Sequence, residues 1–435
     1  MNDLAPTTCS PGLDQCPSDA AVSDLAPGLL VRIARRVVCA RLRRVAHGTI
    51  TVIEGRRRMV FGEPCSVSTL KATITIQDPH CYLDIAWSGT VGAGESYARG
   101  DWHCDELTAL VRIFVLNRHL LDGMERGLAR LSAPFLKVAH RLRRNTRRGS
   151  RQNIAAHYDL SNDFFAQMLD RTMMYSCAYF QRPDSTLEEA SCAKLDLICR
   201  KLHLTEHDHL LEIGSGWGGL ACHAAKTYGC RVTTTTISRA QYELAVRRVG
   251  EAGLSDRVRL LLTDYRDFPA LGMQFDKLVS VEMIEAVGHE YYATFFDICS
   301  RLLKPDGLML LQAITIDERY YERAKRSVDF VQRFIFPGSC IPSVTALCRA
   351  MAQASDFSLL HLQDIGAHYP PTLRRWRDNL RANLPHVGQL GFGSEFLRLW
   401  EFYLSYCEGG FLERSISTAH LLVAKSGWRQ DPVAG

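Results

Sequence analysis

From about residue 153 onward, short apolar runs alternate with amphipathic stretches. Runs at 209–213, 230–236, 257–262, 276–281 and 307–314 predict strands, and segments at 217–228, 238–252 and 289–303 predict helices. Alternation at this spacing predicts an α/β fold with a doubly wound parallel sheet, which binds its ligands at the carboxyl ends of the strands. The N-terminal third reads differently. GTITVIEG, ATITIQD and CYLDIAWSG are alternating, β-branched or aromatic and predict strands. GDWHCDELTALVRIFVLNRHLLDGM then turns helical, with Leu107, Leu110, Val111, Phe114 and Val115 on one face. The division expected is a flexible leader over 1–28, a smaller α+β domain over 29–135, a basic linker over 136–152 and the larger α/β domain over 153–435.

Composition adds limits. The 435 residues are 46% apolar and 23% charged, the balance of a soluble globular protein. No run of 18 apolar residues exists, which argues against a transmembrane helix. The Pro-rich, acidic N-terminus lacks the basic and apolar regions of a signal peptide, and the fifteen cysteines include no CxxC pair. A reduced, cytoplasmic protein is expected. The net charge of +5 is concentrated in three arginine blocks: Arg32 to Arg44, Arg56 to Arg58, and Arg141 to Arg151. Three such blocks in one third of the chain suggest docking on an anionic surface, with peripheral association at the inner face of the membrane.

The sharpest chemical signal is LLEIGSGWGG, where Gly214, Gly216 and Gly218 follow a strand and open a helix. Glycines there permit a tight turn and close approach of backbone N–H groups to a ligand. Gly214, Gly216 and Gly219 also satisfy GxGxxG, a weak motif that fits a dinucleotide equally. Two details favour S-adenosylmethionine (AdoMet). Glu212 gives the acid–x–G–x–G form of AdoMet binders, and CRVTTTTIS ends without the acid that an NAD ribose requires.

Beyond this loop, LLEIGSGWGGLACHAA, GCRVTTTTISRAQYELA, VSVEMIEAVGHEYYATFF, HYDLSNDFFAQMLDRTMMYSCAYF, KRSVDFVQRFIFPGSCIPS, YCEGGFLERSI and GESYARGDWHCDELTAL together resemble the cyclopropane-fatty-acyl-phospholipid synthase family. The resemblance runs from about residue 45 to 425. It implies a class I AdoMet methyltransferase fold and a set of cofactor contacts. Tyr175 and Ser176 would lie over AdoMet, and Leu210, Glu212, Gly214, Ser215, Gly216, Trp217 and Gly218 would wrap its methionine end. Thr236, Ile237, Ser238 and Gln241 would meet the ribose, and Tyr265 and Arg266 the adenine; Asp264 would either reach the adenine amine or cap the strand end.

The implied reaction adds a methyl carbon to the double bond of an unsaturated phospholipid acyl chain and then removes a proton. An isolated alkene is a poor nucleophile and gives a carbocation when methylated, so the site must exclude water and stabilise positive charge. Aromatic faces can do the latter, at roughly 0.5–2 kcal/mol per ring. The candidates are Tyr158, Phe164, Phe165, Tyr175, Tyr179, Phe180, Phe330, Phe334 and Phe336. For the proton, the resemblance implies a bicarbonate ion held by Cys177, Glu285, the Ile314 backbone and Tyr369, with Gln312 where many relatives have His. Glu282, one turn before Glu285, would support it, and His157 would orient a neighbouring group or simply sit in the core. Cys407 matches a cysteine long treated as an active-site residue of the family, although the chemistry asks for no thiol and a buried structural role fits it physically.

The same cation can lose a different proton and give a methylene- or methyl-branched chain. A relict fold that only binds lipid, and a nucleic-acid methyltransferase, are the other readings; the intact AdoMet motifs oppose the first, and the absence of a target-base motif or nucleic-acid module opposes the second. The resemblance is compatible with a homodimer.

Overall fold

The computed structural model describes residues 28–118 and 161–429. The expected boundaries near 135 and 152, the third arginine block, His157 and Tyr158 lie outside them. In the N-terminal unit, α1 (Leu29–Leu42) precedes β1 (Thr49–Glu54), β2 (Arg57–Phe61) and β3 (Lys71–Ile76), followed by α2 (Cys81–Ser88), α3 (Thr90–Arg99), β4 (Trp102–Cys104) and α4 (Leu107–Leu116). The sheet order is β2-β1-β3-β4, with β1 and β3 parallel. The two β-branched runs form strands as expected. CYLDIAWSG does not: it is helix α2. Its apolar residues satisfy a helical stripe as well as an alternating one, with Cys81 and Tyr82 buried and Ile85 one turn on against the core. Ile85 is its one β-branched residue, so little opposes the helix.

The second unit contains α5 (Asn162–Met168), α6 (Leu187–Lys201), β5 (His209–Ile213), α7 (Gly219–Tyr228), β6 (Arg231–Thr236), α8 (Arg239–Glu251), β7 (Val258–Leu262), β8 (Phe275–Val281), α9 (Ile284–Val287), α10 (Tyr292–Leu302), β9 (Leu303–Ile316), α11 (Val344–Ala354), β10 (Ser358–Asp364), α12 (Tyr369–Ala382), α13 (Ser394–Leu412) and β11 (Ile416–Ala424). The seven strands lie in the order β10-β11-β9-β8-β5-β6-β7, parallel except around β11. The strand order reverses at β5, between β6 and β8, so a crevice opens at the carboxyl end of β5. The glycine loop occupies that point.

The two units pack through α3 and α4 against α13. Glycines allow the close approach: a Cβ on Gly409 would meet Val111 Cγ1 at 2.6 Å, and one on Gly94 would meet Phe330 at 2.2 Å. Buried Glu408 pairs with Arg377 at 2.7 Å and Arg374 at 2.9 Å and accepts from Thr108 Oγ1 at 3.0 Å. Arg112 and Glu413 pair across the same seam at 2.6 Å. This gives the YCEGGFLERSI block a structural explanation: it joins the two units.

Candidate active site

Gly214, Gly216 and Gly218 have φ of +98°, +49° and +83°, a left-handed backbone that other residues avoid. A Cβ on Gly216 would meet nothing within 4 Å, so conformation and open space, not packing, call for glycine there. Register places Glu212 opposite Thr234, whose hydroxyl donates to Glu212 Oε2 at 2.6 Å. Burial pushes the Glu212 carboxyl up to about 8. A buried carboxyl beside open, left-handed backbone fits the cationic methionine end of AdoMet.

A cavity of about 530 Å³ begins here. Its cofactor end is lined by Tyr175, Ser176, Glu212, Gly214, Ser215, Gly216, Trp217, Thr236, Ile237, Gln241, Asp264, Tyr265 and Arg266. Three expected contacts are not on that wall. Leu210 is buried in the core between β5 and α7. Gly218 caps α7, where a Cβ would press on Ala245 at 3.3 Å. Ser238 caps α8 by accepting from Gln241 N. Asp264 accepts from Arg266 N at 3.0 Å and pairs with its guanidinium at 2.6 Å, so it caps the turn after β7 while lining the cavity. Buried Lys194, which sequence reading did not single out, donates to Ser176 Oγ at 2.9 Å; burial lowers its ammonium to about 8.

The cavity continues past Tyr369, Phe336, Tyr403 and Phe411 into the N-terminal unit, where Leu42, Val52, Trp102 and the predicted apolar face of α4 line it. Of the aromatic candidates, Tyr175 and Phe336 reach it; Phe164, Phe165 and Phe330 are fully buried core. Four further rings on this wall, Phe402, Tyr403, Tyr406 and Phe411, come from α13. Their helical spacing resembles ordinary core, so only the tertiary arrangement identifies them. Cys407 lines the cavity, and burial raises its thiol.

Between the two ends lie two carboxyls. β8 ends at Val281, paired with Gln312, which leaves the N–H of Ile314 without a strand neighbour on that side. Glu285 Oε1 accepts it at 2.5 Å. Glu282 is not a turn of helix before Glu285; it stands at the strand end with φ +48°. Its Oε2 accepts from Tyr369 at 2.6 Å, and its Oε1 from Gln312 Nε2 at 2.8 Å and Cys177 N at 3.1 Å; the Thr418 hydroxyl, 3.4 Å away, donates instead to Ala313 O at 3.0 Å. The donors expected to hold bicarbonate therefore hold protein carboxyls, and Gln312 and the Cys177 thiol lie behind the cavity wall. Burial, then the charge of Glu282, pushes Glu285 up to about 8, which leaves it neutral. Burial also raises Glu282, against the hydrogen bonds that stabilise its ionised form.

The switch-point crevice, the glycine loop and the buried acid define a class I AdoMet-dependent methyltransferase. The model of the mycolic acid cyclopropane synthetase family matches residues 145–421, and the chain belongs to that family. It is 37% identical to the cyclopropane-fatty-acyl-phospholipid synthase of Escherichia coli strain K12 over 350 residues, 79% of this chain and 86% of that protein. It is 36% identical to the tuberculostearic acid methyltransferase UfaA1 of Mycobacterium tuberculosis over 335 residues, 74% and 76% of the two chains. The solved structure of mycolic acid cyclopropane synthase CmaA1 complexed with SAH and CTAB aligns with a TM-score of 0.58 at 34% identity, covering 63% of this chain and 98% of that one.

Proposed function

We propose that the protein adds a one-carbon unit from AdoMet to the cis double bond of an unsaturated phospholipid acyl chain, closing a cyclopropane ring through a carbocation. The observation that carries this reading is the single cavity that joins the glycine loop to a long apolar arm. Bound AdoMet would supply an electrophilic methyl group. Glu212 and the glycine loop hold its methionine end, Thr236 and Gln241 its ribose, and Tyr265 with Arg266 its adenine. The apolar arm excludes water, while Tyr175, Phe336 and Tyr403 turn aromatic surface toward the cation. Bicarbonate does not fit the arrangement, because its expected donors are already engaged by Glu282 and Glu285. A methyl- or methylene-branched product is the second reading, supported by similar identity to UfaA1. Purified protein with labelled AdoMet and unsaturated phospholipid vesicles should give a lipid one methylene heavier, with cyclopropyl proton signals. Methylation of a water-soluble acceptor alone would overturn the reading.

The substrate class requires contact with a bilayer. Helix α1 exposes Leu29 (65%), Leu30 (70%) and Ile33 (45%) beside exposed Arg32 and Arg36, the composition of an interfacial helix. We therefore place membrane docking on α1, assisted by Arg56–Arg58 and the arginines at 141–151. Changing Leu29, Leu30 and Ile33 to Ser should weaken binding to anionic vesicles, and changing Arg141, Arg143, Arg144, Arg147 and Arg148 to Gln should do so most strongly at low salt.

A further inference from the structure

We propose that Glu282 is the base of the reaction: its carboxylate stands where an exogenous ion would be held and takes the proton lost by the substrate. This inference rests on the lipid-alkylating reading above. Three donors converge on one carboxylate: Tyr369 OH, Gln312 Nε2 and Cys177 N. The neighbouring Glu285 spends Oε1 on Ile314 N, and its Oε2 has no hydrogen-bond partner among the described residues. Each group expected to hold a free anion thus already faces a protein carboxyl.

A purely structural carboxylate would be sealed in. Glu282 instead retains accessible surface within the protein interior, and that surface borders the cavity. Its backbone is left-handed, with φ +48°, a conformation that residues other than glycine adopt under strain of the kind that accumulates at functional sites. Gln312 cannot accept a proton, and Tyr369 already donates its own to Glu282. Glu282 is met by three donors and Glu285 by one, so of the two carboxyls Glu282 is the one whose negative charge the protein supports.

The step balances. The alkene π pair forms a new C–C bond as the S–CH3 bond breaks, and that bonding pair stays on sulfur as S-adenosylhomocysteine. Glu282 Oε then takes one proton from the added carbon, whose C–H pair closes the third side of the ring. Removing a proton from a neighbouring chain carbon gives the branched alkene with the same balance.

The test uses the full-length protein, AdoMet and unsaturated phosphatidylglycerol vesicles, in CO2-stripped buffer and with bicarbonate added. Wild-type turnover should differ less than about twofold between the buffers, whereas Glu282→Gln should lose at least about a hundredfold while binding AdoMet normally. Glu282→Gly, which opens the same space, should be inactive in stripped buffer and partly rescued by bicarbonate. Wild-type turnover that collapses without CO2 and returns with bicarbonate would overturn the proposal, as would near-normal turnover by Glu282→Gln. Absence of any lipid product from the wild type in either buffer would instead count against the lipid reading itself.

Discussion

Gln312 donates through Nε2 to Glu282 Oε1 at 2.8 Å, and its other end receives His420 Nε2 at 3.0 Å. Burial and nearby Lys201 hold His420 well below its ordinary range, so it is neutral and has one proton to give. Its Nδ1 faces Lys201 Nζ at 3.0 Å. The chain Lys201–His420–Gln312 thus fixes which way the Gln312 amide points, and with it the orientation of Glu282.

His420→Ala should release that orientation. We expect kcat to fall about tenfold with AdoMet affinity unchanged, since misplacing a reacting group slightly is costly. The buried partners left unsatisfied should also cost about 1–3 kcal/mol of stability. Steady-state kinetics with calorimetric AdoMet binding separates the two effects: a change confined to Tm would mean that His420 only supports the fold.

The contribution of the buried carboxyls to stability has a defined sign between about 6.5 and 8. Glu212 and Glu285 are both raised to about 8 by burial, so over this range the unfolded chain has released protons that the folded chain retains. Stability from these groups is full below the ordinary carboxyl range and is lost as pH rises through about 8. The depressed histidines act up to about 6.5, and buried Lys194 and half-buried Lys201, each lowered to about 8, act above the window. Cys65, lowered to about 7 by its hydrogen bond with His47, opposes the carboxyls inside it, so the test uses a Cys65→Ser background. There the ligand-free Tm should drop by on the order of a few degrees from pH 6.5 to 8, and Glu212→Gln should flatten the drop. AdoMet should raise Tm more at pH 8 than at 6.5. Differential scanning fluorimetry reads all three.

Gly409→Leu would force a side chain into Val111 at the seam between the units. Overpacking of this kind costs about 1–3 kcal/mol. Lipid turnover should fall with the loss of the apolar arm, while AdoMet binding, made entirely by the second unit, should stay within about threefold. Loss of AdoMet binding in a folded variant would show that the seam also shapes the cofactor end.

Cys407→Ala should retain turnover within about threefold. The thiol is raised by burial, and no step of the proposed reaction uses a protein nucleophile. A bulky label at the same position should block activity, because the residue lines the apolar arm. Loss of turnover in the Ala variant with an intact fold would give the thiol a chemical role.

The parallel strands were legible because both faces are largely buried, so β5 and β8 carry apolar residues at both odd and even positions. The glycine loop was legible because a left-handed turn after a strand leaves little choice of residue. CYLDIAWSG was misread because a short apolar stretch satisfies two periods at once, and packing of Tyr82 and Cys81 decides between them. Glu282 was placed in a supporting role because its spacing from Glu285 suggests a helix. Its actual position depends on where β8 stops and on donors from residues 177, 312 and 369, which only the fold brings together. The same holds for the α13 rings, whose spacing is that of any amphipathic helix.

The apolar face of α4 lines a chamber whose glycine loop and paired carboxyls belong wholly to the other unit. The smaller unit can therefore act as a ruler. Bulkier or smaller residues at Leu107, Leu110 or Phe114 would change how far a hydrocarbon tail threads before it stops, and so which carbon pair rests beside the donor. Regiochemistry could then drift through substitutions made far from any group that handles a charge.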